Sequence, residues 1–189
     1  MTKFVLHGGA TRRFELEGNR GFFKEILTGL PQKVRVLLIY YARPETDFFE
    51  LLQDDTNNFR STSPDKDIEL EIASEDQDTF RKQIENADVI YVRGGDTKKL
   101  LAKINQTPDF ADLIKGKVYA GSSAGMYLLC KHYYSNDRKQ FEQGLGILPI
   151  KGLAHWDQSK HDILDQLKNI GEDLPIYKLS EGQFIVLES

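Results

Sequence analysis

The sequence has 189 residues, 40% hydrophobic and 29% charged, with a formal net charge of −4 and a single cysteine, Cys130. That balance describes a globular chain of about one domain, residues 1–189, and excludes a disordered chain, a collagen-like repeat and a disulfide scaffold. The acidic charge speaks against nucleic acid as a partner, and the lone cysteine points to a reduced, cytoplasmic setting. The longest apolar run, 36–41, is far shorter than the roughly 20 residues that span a bilayer, so no membrane partner is expected. The start is too short in apolar residues for a signal peptide.

In chain order, residues 4–7 read as a strand stopped by Gly8-Gly9, and 21–27 as a helix with Phe22, Phe23, Ile26 and Leu27 on one side. Residues 34–41 form a nearly continuous apolar strand, the pattern of burial on both faces. Residues 45–52 read as a helix after Pro44, and the polar, turn-rich segment 54–66 as a surface loop. Alternation over 68–73 suggests a strand with one wet face. Next come a helix over 77–87, a buried strand over 89–92 closed by Gly94-Gly95, and a helix over 97–104 with Asp96 or Thr97 as its N-cap. Residues 110–114 read as a short helix, 117–120 as a strand, 124–131 and 163–167 as helices. Residues 176–179 and 183–187 read as two final strands around a turn at Glu181-Gly182. Strands alternating with helices of about ten residues predict an α/β fold, a mostly parallel sheet with helices on both faces. Sites in such sheets lie beyond the carboxyl ends of the strands. Three loops qualify: His7-Gly8-Gly9, Arg93-Gly94-Gly95-Asp96-Thr97 and Gly121-Ser122-Ser123-Ala124-Gly125.

The last of these is a G-x-S-x-G motif between a predicted strand and a predicted helix, the context of a nucleophile elbow. The pattern selects Ser123 over Ser122. A serine there sits at a helix N-terminus, where backbone N–H groups favour a developing anion. A serine hydroxyl needs a base. Of four histidines, His7 reads as a capping or packing residue, His132 as lying at the far end of the helix after Ser123, and His161 as part of a solvated face. His155, in the apolar stretch Gly152-Leu153-Ala154-His155-Trp156, is the candidate base. Glu181 and Asp137 compete as the acid that orients it. Ala124 N–H and Gly95 N–H are the candidate oxyanion donors. With no G-x-G-x-x-G and no Walker lysine–serine pair, Gly94-Gly95 does not read as a nucleotide loop.

Three segments carry a resemblance to peptidase family S51, which includes the aspartyl dipeptidase peptidase E and, more distantly, cyanophycinase. Val92-Arg93-Gly94-Gly95-Asp96-Thr97 with Leu100-Leu101 is similar to the family's V-G-G-G-N-T loop and its L-L helix. Gly121-Ser122-Ser123-Ala124-Gly125 is similar to its elbow, and Leu179-Ser180-Glu181-Gly182 to its L-P-E-G turn. Ala154-His155-Trp156 stands where the family has P-H-F. The resemblance covers about the C-terminal half, and it departs at Arg93 and Asp96. It implies a three-layer sandwich like that of class I glutamine amidotransferases, with Ser123 as nucleophile, His155 as base and Glu181 as orienting acid. Asp137 is held in reserve, and Gly95 and Ala124 form the oxyanion hole. Gly94, Asp96, Thr97 and Trp156 are the expected substrate-binding residues; if it faces the pocket, Asp96 would pair with a substrate ammonium and repel a substrate carboxylate. The expected activity is that of a serine exopeptidase, a dipeptidase acting on short peptides without metal or organic cofactor. The alternatives are a hydrolase or transferase of another acyl or isopeptide bond, and a non-catalytic binding relative. A homodimer is compatible with the sequence, which does not fix the oligomeric state.

Overall fold

The computed structural model describes residues 1–13 and 17–189. Its first half runs β1 (Lys3–His7), α1 (Glu17–Leu27), β2 (Lys33–Ile39), α2 (Phe48–Thr62), β3 (Asp67–Ile72), α3 (Gln77–Asn86), β4 (Val89–Val92) and α4 (Thr97–Ile104). The rest runs α5 (Phe110–Leu113), β5 (Val118–Ser122), α6 (Ala124–Leu129), β6 (Cys130–Ser135), β7 (Gln140–Glu142), β8 (Leu148–Ala154), α7 (His161–Lys168), β9 (Ile176–Leu179) and β10 (Phe184–Glu188). The described strands form two sheets, one ordered β10-β1-β5-β4-β2-β3 and one ordered β7-β6-β8-β9. The first is parallel except for β10, which pairs antiparallel with β1. In the second, β6, β8 and β9 are parallel and β7 is antiparallel.

Strand side chains alternate between faces, so the first sheet feeds two cores. Val34, Val36 and Leu38 meet Phe22, Phe23 and Ile26 of α1 and Leu51 and Phe59 of α2. Leu37 and Ile39 face the other way, toward Phe80 and Ile84 of α3, Leu100 and Ile104 of α4, and Met126 and Leu128 of α6. The second sheet closes this second core with Tyr133, Leu148, Ile150 and Leu179. Helices thus cover both faces of a mostly parallel sheet, an α/β fold. Among the described residues, no helix is long and apolar enough to cross a membrane.

Three expectations are corrected. Segment 54–66 is mostly helix, because α2 continues to Thr62 and buries Asp55, Asn58 and Phe59 with Leu51. The helix after Ser123 stops at Leu129, where Cys130 turns to φ −64°, ψ 150°. The amides of Leu145 and Gly146 take the carbonyls of Leu128 and Cys130 there, so the helix end is satisfied from outside and His132 falls in strand β6. The last two strands do not pair with each other: β9 joins the second sheet and β10 the first.

Candidate active site

The carboxyl ends of β1, β2, β4 and β5 from one sheet and of β6 and β8 from the other converge on one cleft of about 370 Å³. Strand β5 ends at Ser122, and the chain enters α6 through Ser123 at φ 50°, ψ −102°. That conformation is strained for a serine and needs outside support. The Ser123 N–H donates to the His7 carbonyl at 2.9 Å, and the Ser123 carbonyl accepts from the Tyr127 N–H at 2.9 Å. A side chain on Gly125 would overlap the Val92 carbonyl, so the glycine allows α6 to pack against β4.

His155 follows β8 directly, also at positive φ, 53°. Its N–H donates to the Gly8 carbonyl at 2.8 Å, and the Lys160 ammonium donates to its carbonyl. Its Nε2 is 3.0 Å from Ser123 Oγ, and its Nδ1 is 3.0 Å from Glu181 Oε1. The second Glu181 oxygen accepts from Arg13 Nη1 at 2.7 Å. The hydrogen bond from His155 holds the Glu181 carboxyl below the usual glutamate range, against partial burial and with help from Arg13. An ionised carboxylate only accepts, so Nδ1 carries the proton and the Nε2 lone pair faces the serine hydroxyl. Asp137 lines the same cleft, but the Nδ1 position belongs to Glu181.

Gly94, Gly95 and Thr97 line the cleft beside Ser123 and His155. A Cβ on Gly94 would lie 3.1 Å from Ser123 Cβ, so this backbone passes directly over the nucleophile. The Arg43 guanidinium holds the loop, its Nε donating to the Gly94 carbonyl at 2.6 Å. Ala124 N–H opens α6. Among the described residues, the Gly95 and Ala124 amides donate no hydrogen bond within the protein.

Two expected substrate contacts lie elsewhere. Asp96 caps α4, its Oδ1 accepting from the amides of Lys98 at 2.9 Å and Lys99 at 3.2 Å and from Arg138 Nη2 at 2.8 Å. Burial raises the Asp96 pKa, but Arg138 and the two amides outweigh it and hold it below the ordinary value. Trp156 packs edge-on to His161 at 5.2 Å, with Lys178 Nζ 4.5 Å over its ring. Neither lines the cleft.

The sequence reading missed the arginines. Arg12, Arg43 and Arg93 all line the cleft. Arg93 is buried, with Nη2 3.1 Å from Asp55 Oδ1, and Asp55 Oδ2 accepts from the Tyr40 hydroxyl at 2.6 Å. Burial pushes the Asp55 carboxyl up to about 6, although Arg93 and Tyr40 both pull it down. The signal for this cluster was an arginine at the end of an apolar strand, with two acids in a polar segment upstream.

No curated protein matches the chain in sequence. Among solved structures, a Listeria monocytogenes EGD-e protein assigned to peptidase E is similar with a TM-score of 0.67 and 19% identity, over 100% of this chain and 99% of that one. A peptidase from an acI-B1 actinobacterium is similar with a TM-score of 0.66 and 19% identity, over 99% of this chain and 83% of that one. At that identity the two share its fold. The model of peptidase family S51 matches residues 4–189. A match of that extent covers both sheets and every segment that meets at the cleft: the chain belongs to peptidase family S51 and is a serine-type peptidase.

Proposed function

We propose that this peptidase is an exopeptidase, in the simplest form a dipeptidase, that hydrolyses short peptides through an acyl-enzyme on Ser123, the chain acting as one catalytic unit. The observation that carries the reading is the hydrogen-bonded series from Ser123 Oγ through His155 to Glu181, with both distances at 3.0 Å. The cleft volume of about 370 Å³ lies at the small end for ligand pockets and suits a dipeptide better than an extended chain.

Ser123 Oγ attacks the peptide carbonyl carbon while its proton passes to His155 Nε2. The carbonyl π pair moves onto oxygen, which the N–H groups of Gly95 and Ala124 receive. As the carbonyl re-forms, the C–N bond breaks and His155 gives its proton to the leaving amine. Water then enters and its oxygen bonds to the acyl carbon as His155 takes one of its protons; the acyl–Ser123 oxygen bond breaks, releasing the acid, and His155 returns that proton to Ser123 Oγ. Glu181 keeps the imidazole in the required tautomer throughout and faces the imidazolium when it forms.

The test is turnover of a dipeptide panel, including β-aspartyl and cyanophycin-like peptides, with fluorophosphonate labelling of wild type and Ser123→Ala. Wild-type turnover and labelling, both lost in a folded Ser123→Ala protein, are expected. Normal activity in that variant would sink the mechanism, and turnover confined to isopeptides would move the substrate class.

A further inference from the structure

Beneath the Ser123, His155 and Glu181 side chains lies a second layer of hydrogen bonds, centred on a histidine that takes no part in bond making. His7, at the end of β1, is 0% exposed. Its Nε2 is 2.8 Å from Asn19 Oδ1. The orientation of the Asn19 amide is fixed independently, because its Nδ2 donates to the carbonyls of Ala10 at 2.8 Å and Arg13 at 2.6 Å. Asn19 therefore offers an acceptor to His7, and the His7 proton sits on Nε2. The Nδ1 lone pair then accepts the Gly9 N–H at 3.0 Å, with the Ser122 hydroxyl at 3.4 Å. A second ring proton would point at the Gly9 N–H. Consistently, burial pushes the His7 pKa down to about 4, the Asn19 bond opposing and His155 adding to the shift.

The segment organised in this way touches each member of the triad. The His7 carbonyl holds the Ser123 amide, and the Gly8 carbonyl holds the His155 amide. The His155 ring lies on Gly9, where φ is +112° and an added Cβ would fall 2.5 Å from Nε2. Arg13, whose carbonyl Asn19 holds, clamps Glu181.

Given Ser123, His155 and Glu181 as the triad proposed above, we infer that His7 is a positioning residue with two arms. Through Nδ1 it fixes the Gly9 backbone that supports the His155 ring. Through Nε2–H and Asn19 it fixes the turn that carries Arg13 to Glu181. His7 touches neither substrate nor a reacting atom. Its effect is on how long the triad stays within the narrow geometry that proton transfer needs.

The rate of Ser123 labelling by a fluorophosphonate reads serine activation without reference to peptide specificity. His7→Phe keeps a ring against Phe22, 4.6 Å away, and removes both arms. His7→Gln restores an N–H near the Nε2 position, and His7→Asn an acceptor near Nδ1. His7→Phe is expected to fold and to label about 10–100-fold more slowly than wild type, with each amide variant recovering part of that loss. In peptide turnover the loss is expected in kcat, with KM little changed. Labelling of His7→Phe at the wild-type rate overturns the role of His7 and leaves the triad standing. Amide variants no faster than the phenylalanine variant overturn the two-armed account in the same way. Should His7→Phe not fold, wild-type rates in both amide variants overturn the role. Wild type that neither labels nor turns over overturns the triad, and this role with it.

Discussion

Glu181 divides its two carboxylate oxygens between His155 and Arg13, at 3.0 and 2.7 Å. Glu181→Gln keeps the shape but can turn an N–H toward Nδ1, which favours the wrong tautomer of His155. A kcat loss of about 10²–10⁴-fold with KM little changed is expected, and steady-state kinetics on the best dipeptide checks it. A kcat within twofold of wild type would return the role to Asp137. The lowered Glu181 pKa means that the charge, and whatever stability it contributes, is present above the ordinary glutamate value and is lost as pH falls through the lower, folded one. Ser123 stood out because it sits in a short motif whose chemistry is local, whereas Glu181 and Asp137 were separated only by the family resemblance. Arg13 was not legible, since it meets Glu181 across 168 residues of sequence. Gly9 had a recognisable turn context, but its role under the His155 ring appears only when two segments are brought together. Asp96 misled for the opposite reason: its nearest chemical demand is the free N-terminus of its own helix, and Arg138 completes its coordination.

Helix α2 shows how a polar cluster hides an element. Leu51, Asp55, Asn58 and Phe59 form its buried face, a helical spacing, but two of the four are polar and the hydrophobic period disappears from view. Asp55 is polar because that face meets Arg93, which follows β4 into the interior beside Asp55 and Tyr40. The cluster carries a pH signature. The Asp55 pKa rises from 3.8 to about 6, burial outweighing Arg93 and Tyr40. A carboxyl raised in the folded state binds more protons there than in the unfolded chain between those values. Its contribution is therefore full below the ordinary carboxylate value and is lost as pH rises toward about 6. Asp55→Asn removes the titration and keeps the shape. Urea unfolding of both proteins from pH 4 to 7 is expected to show the wild type losing ground to the variant over that interval, then running parallel to it above about pH 6. A constant difference across the interval would show that the fold does not shift Asp55.

The molecule is two sheets that each carry part of one site. Ser123 and the Gly94–Gly95 backbone stand at the ends of β5 and β4, while His155 and Glu181 stand just beyond β8 and β9. The alternating strand–helix pattern made the first sheet readable. The second was hidden because β7 is three residues long, β6 directly continues α6, and β8 begins with a proline-containing Leu148-Pro149 step that resembles a loop. Catalytic geometry therefore depends on the seam between the sheets, and Gly8 sits in it. Its amide donates to the Gln183 carbonyl and its carbonyl receives the His155 amide, both at 2.8 Å. A Cβ at Gly8 would overlap the Ser180 carbonyl oxygen and lie 2.6 Å from the Leu179 carbonyl oxygen. Those are backbone atoms at the end of β9, so the strand rather than a side chain must yield. Gly8→Ala should push the second sheet, and with it His155 and Glu181, away from Ser123. Overpacking of this kind costs about 1–3 kcal/mol, or a fall in Tm of about 2–12 °C for a chain of this length, whereas a displacement near 1 Å costs about 100-fold in rate. The expected result is a protein with wild-type far-UV dichroism, a modestly lower melting temperature and Ser123 labelling slowed by about two orders of magnitude. A core variant far from the seam with the same fall in Tm is expected to label at the wild-type rate; equal slowing in both proteins would mean only general loosening, and an unchanged labelling rate in Gly8→Ala would show that the seam does not set triad geometry.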